Sequence, residues 1–288
     1  MMGRFIAMQI PDDRLSEEGD DVQKLCWFGS CAGVTLVSMS EEQLPVVFAD
    51  ESNNTGENLT DANQPVFAVA GVHLDDGAAQ DLVDHVLAAL KVGAGEPKYS
   101  KVRRSPKGKD ALLDVLSSLP AESVQTHVTG KRFMAVAKII DLGTEPLMYE
   151  SGYNMLADGS ARHLAHLVAA TGPVLGDAAA FGKLVDTFVA VVREVPGVKA
   201  MDYVKAAKAY LATIKGEKHP FELALLPEPS WLHQVMRDRA LGELGKTLDP
   251  AIPGVVEMCR GFEPVLGHFK LIHDRSKVIG SAKADLLM

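Results

Sequence analysis

An acidic pair, Asp50-Glu51, closes a short apolar run at the point where the chain turns polar. A carboxylate in this position is fixed by a strand and exposed by the turn that follows, so functional acids are common there. Acids at strand ends also serve as turn or capping residues, and they do so more often than they bind metals. The pair by itself leaves both interpretations open.

Two apolar runs predict the strands that would position this pair. Residues 46–50 form a short apolar run that ends in Asp50, and residues 65–72 are apolar at successive positions, which predicts two buried strands joined by the polar stretch 52–63. Apolar residues then recur at helical spacing, with Asp75 or Asp76 placed to cap the helix. The residues on this helical face are Leu82, Val83, Val86, Leu87 and Leu90.

A basic segment containing proline and glycine, residues 97–109, leads into a second helix predicted over residues 110–119. Phe133 to Leu142 has apolar residues on both faces of an alternating pattern, which predicts a central strand. Residues 145–248 are alanine-rich and helical in pattern, and Phe269 to Asp274 reads as a returning strand. This order of elements predicts an α/β (α+β) fold with a large helical insertion.

The predicted organisation has a first part of the core over residues 39–144, a helical insertion or subdomain over 145–260, and a return to the core sheet over 261–288. Residues 1–38 show no clean period, and Met39 begins a stretch that resembles an ordinary bacterial protein start. We therefore expect residues 1–38 to be an extraneous extension, and a chain beginning at Met39 to fold like the full chain.

The composition restricts the class of protein. A formal net charge of −9 argues against coating nucleic acid through bulk positive charge, although a local basic patch is compatible with it. Three cysteines without a C-x-x-C pair indicate neither a disulfide framework nor a structural zinc site. The apolar stretch 26–39 is too short to span a bilayer, and acidic residues precede it. These features predict a cytoplasmic protein without membrane association.

Four segments, in order, resemble the DUF3800 family of bacterial and phage proteins. Asp50-Glu51-Ser52, with Gly56 closing the turn, is similar to the family's D-E-S-G-x-T-G element, and Phe67 to Val72 is similar to its F-x-x-x-G-V strand. Further on, residues 96–101 resemble the E-x-K-[WY]-S-K segment, and residues 273–277 resemble the H-D-x-S-K element. The four segments are spread, in the order found in the family, over residues 44–278, so the resemblance is more specific than any single motif.

The resemblance implies a ribonuclease H-like mixed sheet and, by analogy of fold, a divalent-metal-dependent nuclease or related phosphodiester hydrolase. Mg²⁺ or Mn²⁺ takes oxygen ligands, and carboxylates from separate strands can hold two ions that activate water and stabilise the leaving oxygen. Asp50 would be the central ligand, with Glu96 and Asp274 as further catalytic ligands. Glu51 is the fourth metal candidate, but adjacent side chains of a strand point to opposite faces, so we expect only one of the pair to face the ions.

Lys98 lies two residues after Glu96, on the same side of an extended segment, and is the candidate for contacting a phosphate during catalysis. With Lys101, Arg103 and Arg104 it begins a basic cluster that predicts a local track for nucleic acid as substrate. The cluster continues to Lys109, and a solvated loop balanced by charges elsewhere is an equal alternative for its outer members.

The sequence departs from the family pattern in two places. Asn53 stands where the family has glycine, and because asparagine tolerates positive φ we expect the turn to survive. The family continues to a helix with an Ala-Asp-Leu-Leu motif, whereas this chain ends at Ala284-Asp285-Leu286-Leu287-Met288. Asp285 is then either that last acid or part of the helix after Asp274, and the second interpretation, in which the sheet is truncated, is favoured.

A second function stays open beside the nuclease. A non-catalytic interaction or regulatory protein would keep the ribonuclease H-like fold and use its helical middle as a partner surface, which would fit the net acidity and the Asn53 departure. His273 is either a proton shuttle or a residue packed against the sheet, and packing is favoured. The choice between DNA, RNA and another phosphodiester is open, as is the oligomeric state.

Overall fold

The computed structural model describes residues 44–54, 56–91, 98–215 and 247–273, together with the backbone of residues 7–9. The strands are β1 (Ala7–Gln9), β2 (Val46–Ser52), β3 (Val66–Val72), β4 (Val124–Gly130) and β5 (Lys270–His273). The helices are α1 (Asp76–Leu90), α2 (Tyr99–Val102), α3 (Pro106–Ser118), α4 (Lys131–Ile139), α5 (Glu145–Glu150), α6 (Ser160–Leu175), α7 (Ala178–Val192), α8 (Ala200–Leu211) and α9 (Ala251–Leu266). A 3₁₀ turn, Ala121–Ser123, precedes β4, and a π-helical turn, Ile140–Thr144, joins α4 to α5.

The strands form one five-stranded sheet in the order β1, β5, β2, β3, β4. β5 is parallel to both of its neighbours, and its register places Leu271 opposite Val47 and His273 opposite Ala49. Parallel strands need a crossover connection, and here most of the chain lies between β2 and β5. The strand that carries Asp50 is therefore an interior strand of an α/β fold, as predicted.

Strands β2 and β3 are each buried on one face, whereas the sequence predicted strands buried on both. On β2, Val47 and Ala49 are buried, but Phe48 between them is 46% exposed. On β3, Phe67 and Val69 are buried in the same alternating way. The prediction failed because apolar side chains also occur on the exposed face of a sheet. Apolar atoms make up more than half of a folded protein's surface.

The chain forms two compact units: the first contains residues 1–50, 69–127 and 255–288, and the second contains residues 51–68 and 128–254. In the first unit, α9 packs directly on β3 at Gly71. A Cβ atom at Gly71 would lie 2.4 Å from Met258 Sδ and 2.8 Å from Phe262 Cε2. The absence of a side chain at Gly71 therefore allows the helix and the strand to approach closely. Phe262 also meets Phe269 edge to face, with ring centroids 5.9 Å apart.

The two helices predicted between β3 and β4 are present in the first unit. Asp75 caps α1, its Oδ1 accepting from the Ala78 backbone N–H at 2.8 Å. Helix α3 begins at Pro106, earlier than the predicted residue 110, because Ser105 Oγ accepts from the Gly108 N–H at 3.2 Å and proline suits the first turn of a helix. The basic segment predicted as a loop therefore contains α2 and the first turn of α3.

The second unit is helical, with a core formed mainly by α4, α6, α7 and α8. The hydroxyl of Tyr210 donates to the Gly172 carbonyl at 2.7 Å, and the rings of Tyr210 and Phe181 lie 5.2 Å apart. Val204 and Ala207, three residues apart on one face of α8, are buried. The predicted helical middle of the chain is thus confirmed for the residues described.

The predicted central strand over Phe133 to Leu142 is wrong, since these residues form α4 and the start of the π-helical turn. Their apolar side chains are buried in the helical core on most sides of the helix, and a short apolar run does not distinguish a buried helix from a buried strand. The strand in this region is β4. Its polar residues Gln125, Thr126 and Thr129 interrupt the apolar pattern by which a buried strand is recognised in a sequence. The helical unit consequently begins at residue 128, whereas the insertion was predicted from residue 145.

Part of the amino-terminal segment belongs to the sheet. Residues 7–9, within the stretch expected to be extraneous, form β1 and pair with residues 270–272 of β5. Asp285 and the rest of residues 274–288 lie outside the described residues, so both interpretations of Asp285 stay predictions. Among the helices described, none has the length and apolarity needed to cross a bilayer.

Candidate functional site

Asp50 lies on the exposed face of β2. Burial alternates along the strand, so Val47 and Ala49 point to the covered face while Phe48 and Asp50 point outward. Hydrogen bonding to β3 and β5 on either side fixes the backbone, because β2 is an interior strand. The carboxylate of Asp50 is therefore accessible to a solute and is held on a rigid element.

Glu51 has the opposite orientation and takes part in the turn. It is half-buried, and its Oε1 accepts from Asn54 Nδ2 at 2.9 Å. Asn54 Oδ1 in turn accepts from the Gly56 backbone N–H at 2.7 Å. In the described residues Glu51 thus stabilises the turn after β2. Its side chain points away from that of Asp50, because adjacent side chains of a strand point to opposite faces.

Asn53 adopts a left-handed backbone conformation with φ of 62°. This conformation favours glycine, and asparagine is one of the few other residues that adopt it at low cost. The positive φ that was expected at Asn53 is therefore present.

His273 is the last described residue of β5 and is 1% exposed, opposite Ala49 in the parallel register. Its burial confirms the interpretation that the ring packs against the sheet. Asp274 follows it directly in the sequence and lies outside the described residues, as does Glu96. The structure therefore gives positions for Asp50 and Glu51 and none for the other two predicted metal ligands.

Residues 44–91, 98–215 and 247–273, without Thr55, contain no cluster of three or more histidine, cysteine, aspartate or glutamate side chains suited to an ion. Asp50 is an exposed residue whose carboxylate is a group of the kind that Mg²⁺ and Mn²⁺ prefer as a ligand. The predicted ligands Glu96 and Asp274 are not among these residues.

The predicted phosphate-binding residues are at the surface. Lys98 precedes α2, Lys101 lies within it, and both are exposed together with Arg103 and Arg104. Helix α2 packs on α3 through its buried residue Val102. The side chains predicted to follow a nucleic acid therefore project from a packed helical pair and not from an extended loop.

A buried charged cluster in the second unit was not found from the sequence. Lys131, the first residue of α4, is fully buried, and Asp249, which caps α9 by accepting from the Ala251 N–H at 2.9 Å, is 2% exposed. Burial lowers the pKa of the Lys131 ammonium group, while the nearby charges of Asp61 and Asp249 act to raise it. No spacing in the sequence links these three positions, so only the tertiary structure reveals the cluster.

The cluster supports the turn that follows β2. The backbone N–H of Lys131 donates to the Pro65 carbonyl at 2.9 Å, and a Cβ atom at Gly56 would lie 3.7 Å from Asp249 Oδ2. Both Gly56 and Pro65 belong to the connection between β2 and β3. The main chain at Lys131 and the carboxylate of Asp249 therefore lie against the connection that begins after Ser52.

Comparisons of the chain with protein-family models, with curated proteins and with solved structures found no match.

Proposed function

We propose that this protein is a divalent-metal-dependent nuclease or related phosphodiester hydrolase with a ribonuclease H-like fold, of the DUF3800 type, and with Asp50 as its central metal ligand. The observation that carries the proposal is the position of Asp50, an accessible carboxylate on an interior strand that lies beside a parallel returning strand. Functional acids in mixed and parallel sheets are commonly found at strand ends of this kind.

The register of β2 and β5 adds support. His273 is opposite Ala49, and the next residue in each sequence is an acid, Asp274 after His273 and Asp50 after Ala49. The proposal requires the carboxylate of Asp274 to lie near that of Asp50, so that both can bind the same pair of ions. Glu96 is the third proposed ligand, and Glu51 is the least suited of the four because it stabilises the turn.

In the proposed mechanism a bound Mg²⁺ or Mn²⁺ would supply an activated water and charge stabilisation at the phosphate. The protein's own residues orient these groups. The backbone of β2 fixes the Asp50 carboxylate, and the turn containing Asn53 directs the chain away from it. Lys98 contributes a positive charge to a non-bridging phosphate oxygen of the substrate, because an ammonium group acts as a point charge toward phosphate.

The test is hydrolysis of DNA and RNA, single-stranded and duplex, by the full chain with Mg²⁺, with Mn²⁺ and with EDTA. We expect cleavage only with metal, and a loss on the order of a thousandfold for Asp50→Asn, because several kcal/mol of transition-state stabilisation depend on the ligand. The matched control is Asp81→Asn, which removes an exposed carboxylate from α1 and should leave the rate unchanged. Absence of metal-dependent cleavage, together with absence of calorimetric Mn²⁺ binding, would reject the proposal.

A second candidate is a non-catalytic interaction or regulatory protein that uses its helical unit as a partner surface. The observation that favours it is the set of large apolar side chains exposed in that unit, including Leu156 at 67% and Val174 at 80%. On this alternative, Asp50→Ala would leave the cellular function intact, whereas a null phenotype with unchanged folding would count against it.

A further inference from the structure

The segment Lys98 to Lys109, which we term the basic platform, differs in charge from the rest of the protein. It contains six lysines and arginines and no acid, and subtracting them from the net charge of −9 leaves −15 on all other residues. All six of these side chains are exposed, and no acid of the described residues forms an ion pair with any of them. A polyanion would therefore be attracted to this surface and repelled by most of the remainder.

The backbone of the basic platform is held by close packing. A Cβ atom at Gly108 would lie 2.8 Å from Leu90 Cδ2 and 2.9 Å from the Val102 carbonyl oxygen, so the first turn of α3 contacts both α1 and α2. Val102 is buried, and Ser105 caps α3. The cations are thus mounted on a rigid support, which reduces the entropy lost when a ligand binds.

An aromatic ring lies among these cations without being covered. Tyr99, the first residue of α2, is 67% exposed, with Lys98 adjacent to it and Arg103 one helical turn further along. Exposed aromatic rings among lysines and arginines stack on nucleobases, and stacking requires an unpaired base, because base faces are hidden within a duplex.

We propose that the basic platform binds a single-stranded polynucleotide, with phosphates on its lysines and arginines and one unpaired base stacked on Tyr99. The class of substrate in this inference rests on the proposed function. The inference adds that the substrate is single-stranded and that Tyr99 contacts one of its unpaired bases. The affinity is therefore expected to fall as salt is raised, and the plot of log affinity against log salt concentration should have a slope of about −0.7 for each phosphate neutralised on a single strand.

The test is fluorescence anisotropy with a labelled oligothymidylate, an oligouridylate of equal length and a blunt DNA duplex, in EDTA so that no cleavage occurs. We expect both single strands to bind more tightly than the duplex. Tyr99→Ala should weaken single-strand binding about tenfold, Tyr99→Trp should retain it, and neither should change duplex binding. Lys98→Gln with Lys101→Gln should weaken all three probes and reduce the salt slope.

The matched control is Lys183→Gln with Lys208→Gln, which removes the same charge from exposed positions of α7 and α8 and should leave affinity unchanged. Equal binding of single strands and duplex, with no effect of Tyr99→Ala, would overturn the proposal, as would binding to phosphatidylserine vesicles but not to oligonucleotides. Binding is measured without metal, so failure of the wild-type protein to bind the oligonucleotides rejects the proposal for the basic platform and not the proposed nuclease. Oligonucleotide binding without metal-dependent cleavage and without calorimetric Mn²⁺ binding rejects the nuclease alone.

Discussion

At the scale of single residues, the role of the Lys131 side chain depends on its burial and on the charged groups near it. A lysine is rarely fully buried unless it is paired, and Lys131 is fully buried with the charges of Asp61 and Asp249 nearby. The negative charges of Asp61 and Asp249 both favour the charged form of this ammonium group. Removing one member of a group of buried charges is costly, because the remaining charge is left uncompensated.

We predict that Lys131→Met lowers the free energy of unfolding by about 3 kcal/mol, because the buried carboxylate of Asp249 loses its counter-charge. Asp249→Asn keeps an oxygen that can accept from the Ala251 N–H, so the double variant should be less destabilised than the sum of the single variants. Urea denaturation of the wild type, both single variants and the double variant measures this coupling. Additive effects would contradict the assignment of a charged cluster.

The orientations of Asp50 and Glu51 were predictable from the sequence alone. Alternation along a strand predicted that Asp50 and Glu51 would face opposite ways, and their burial follows that alternation. The left-handed conformation of Asn53 was also predictable, because it depends on the intrinsic preference of one residue. The hydrogen bond from Asn54 to Glu51 was not, since it requires the geometry of the turn.

At the scale of elements, Gly71 determines how closely α9 lies on β3. Its missing side chain leaves space that the Sδ atom of Met258 and the ring of Phe262 occupy. Glycine within a strand often marks such an approach, so the F-x-x-x-G-V motif has a packing explanation that is independent of chemistry.

We predict that Gly71→Ala destabilises the protein by about 1–3 kcal/mol, because the added methyl group overlaps Met258 and Phe262. Met258→Ala removes the nearer of the two contacts, so the double variant Gly71→Ala with Met258→Ala should recover part of the overlap cost relative to Met258→Ala alone. The control is Gly130→Ala, because Gly130 has an ordinary φ of −70° and an added Cβ atom would lie 3.8 Å from its nearest neighbour, Phe133 Cβ. Thermal unfolding compares the variants, and an unchanged melting temperature for Gly71→Ala would contradict the packing.

Element prediction succeeded where local signals agree and failed where they conflict. Helix α1 has both an amphipathic period and a capping aspartate, and its bounds follow from them. Helix α4 has no side-chain cap, and five consecutive apolar residues from Phe133 to Ala137 conceal its helical period, so the sequence predicted a strand there. Strand β4 was overlooked for the converse reason, since polar residues occupy much of its length.

At the scale of the whole molecule, β1 tests the proposed organisation. Residues 1–38 were expected to be extraneous, yet residues 7–9 pair with the outer edge of β5. Pairing of this kind covers backbone groups that an edge strand otherwise presents to other chains.

We predict that a chain beginning at Met39 is less stable than the full chain by about 1–3 kcal/mol, because two or more strand hydrogen bonds of about 0.5–1.5 kcal/mol each are lost. A chain beginning at Arg4 keeps β1 and should match the full chain. Chemical denaturation measures the difference, and light scattering reports any association through the uncovered edge of β5. Equal stability of all three chains would instead support an extraneous segment.

The sequence alone determined the properties that depend on near neighbours along the chain. These include the α/β class, the helices with a clear period and cap, the strand that carries Asp50, the returning strand and the turn at Asn53. The tertiary structure decided what depends on residues distant in sequence: β5 lies beside β2, one face of β2 is open, α9 lies on Gly71, and Lys131 is buried near Asp61 and Asp249. The difference has a physical cause, because local conformational preferences act over a few residues, whereas burial and charge pairing are fixed only when separated segments pack together.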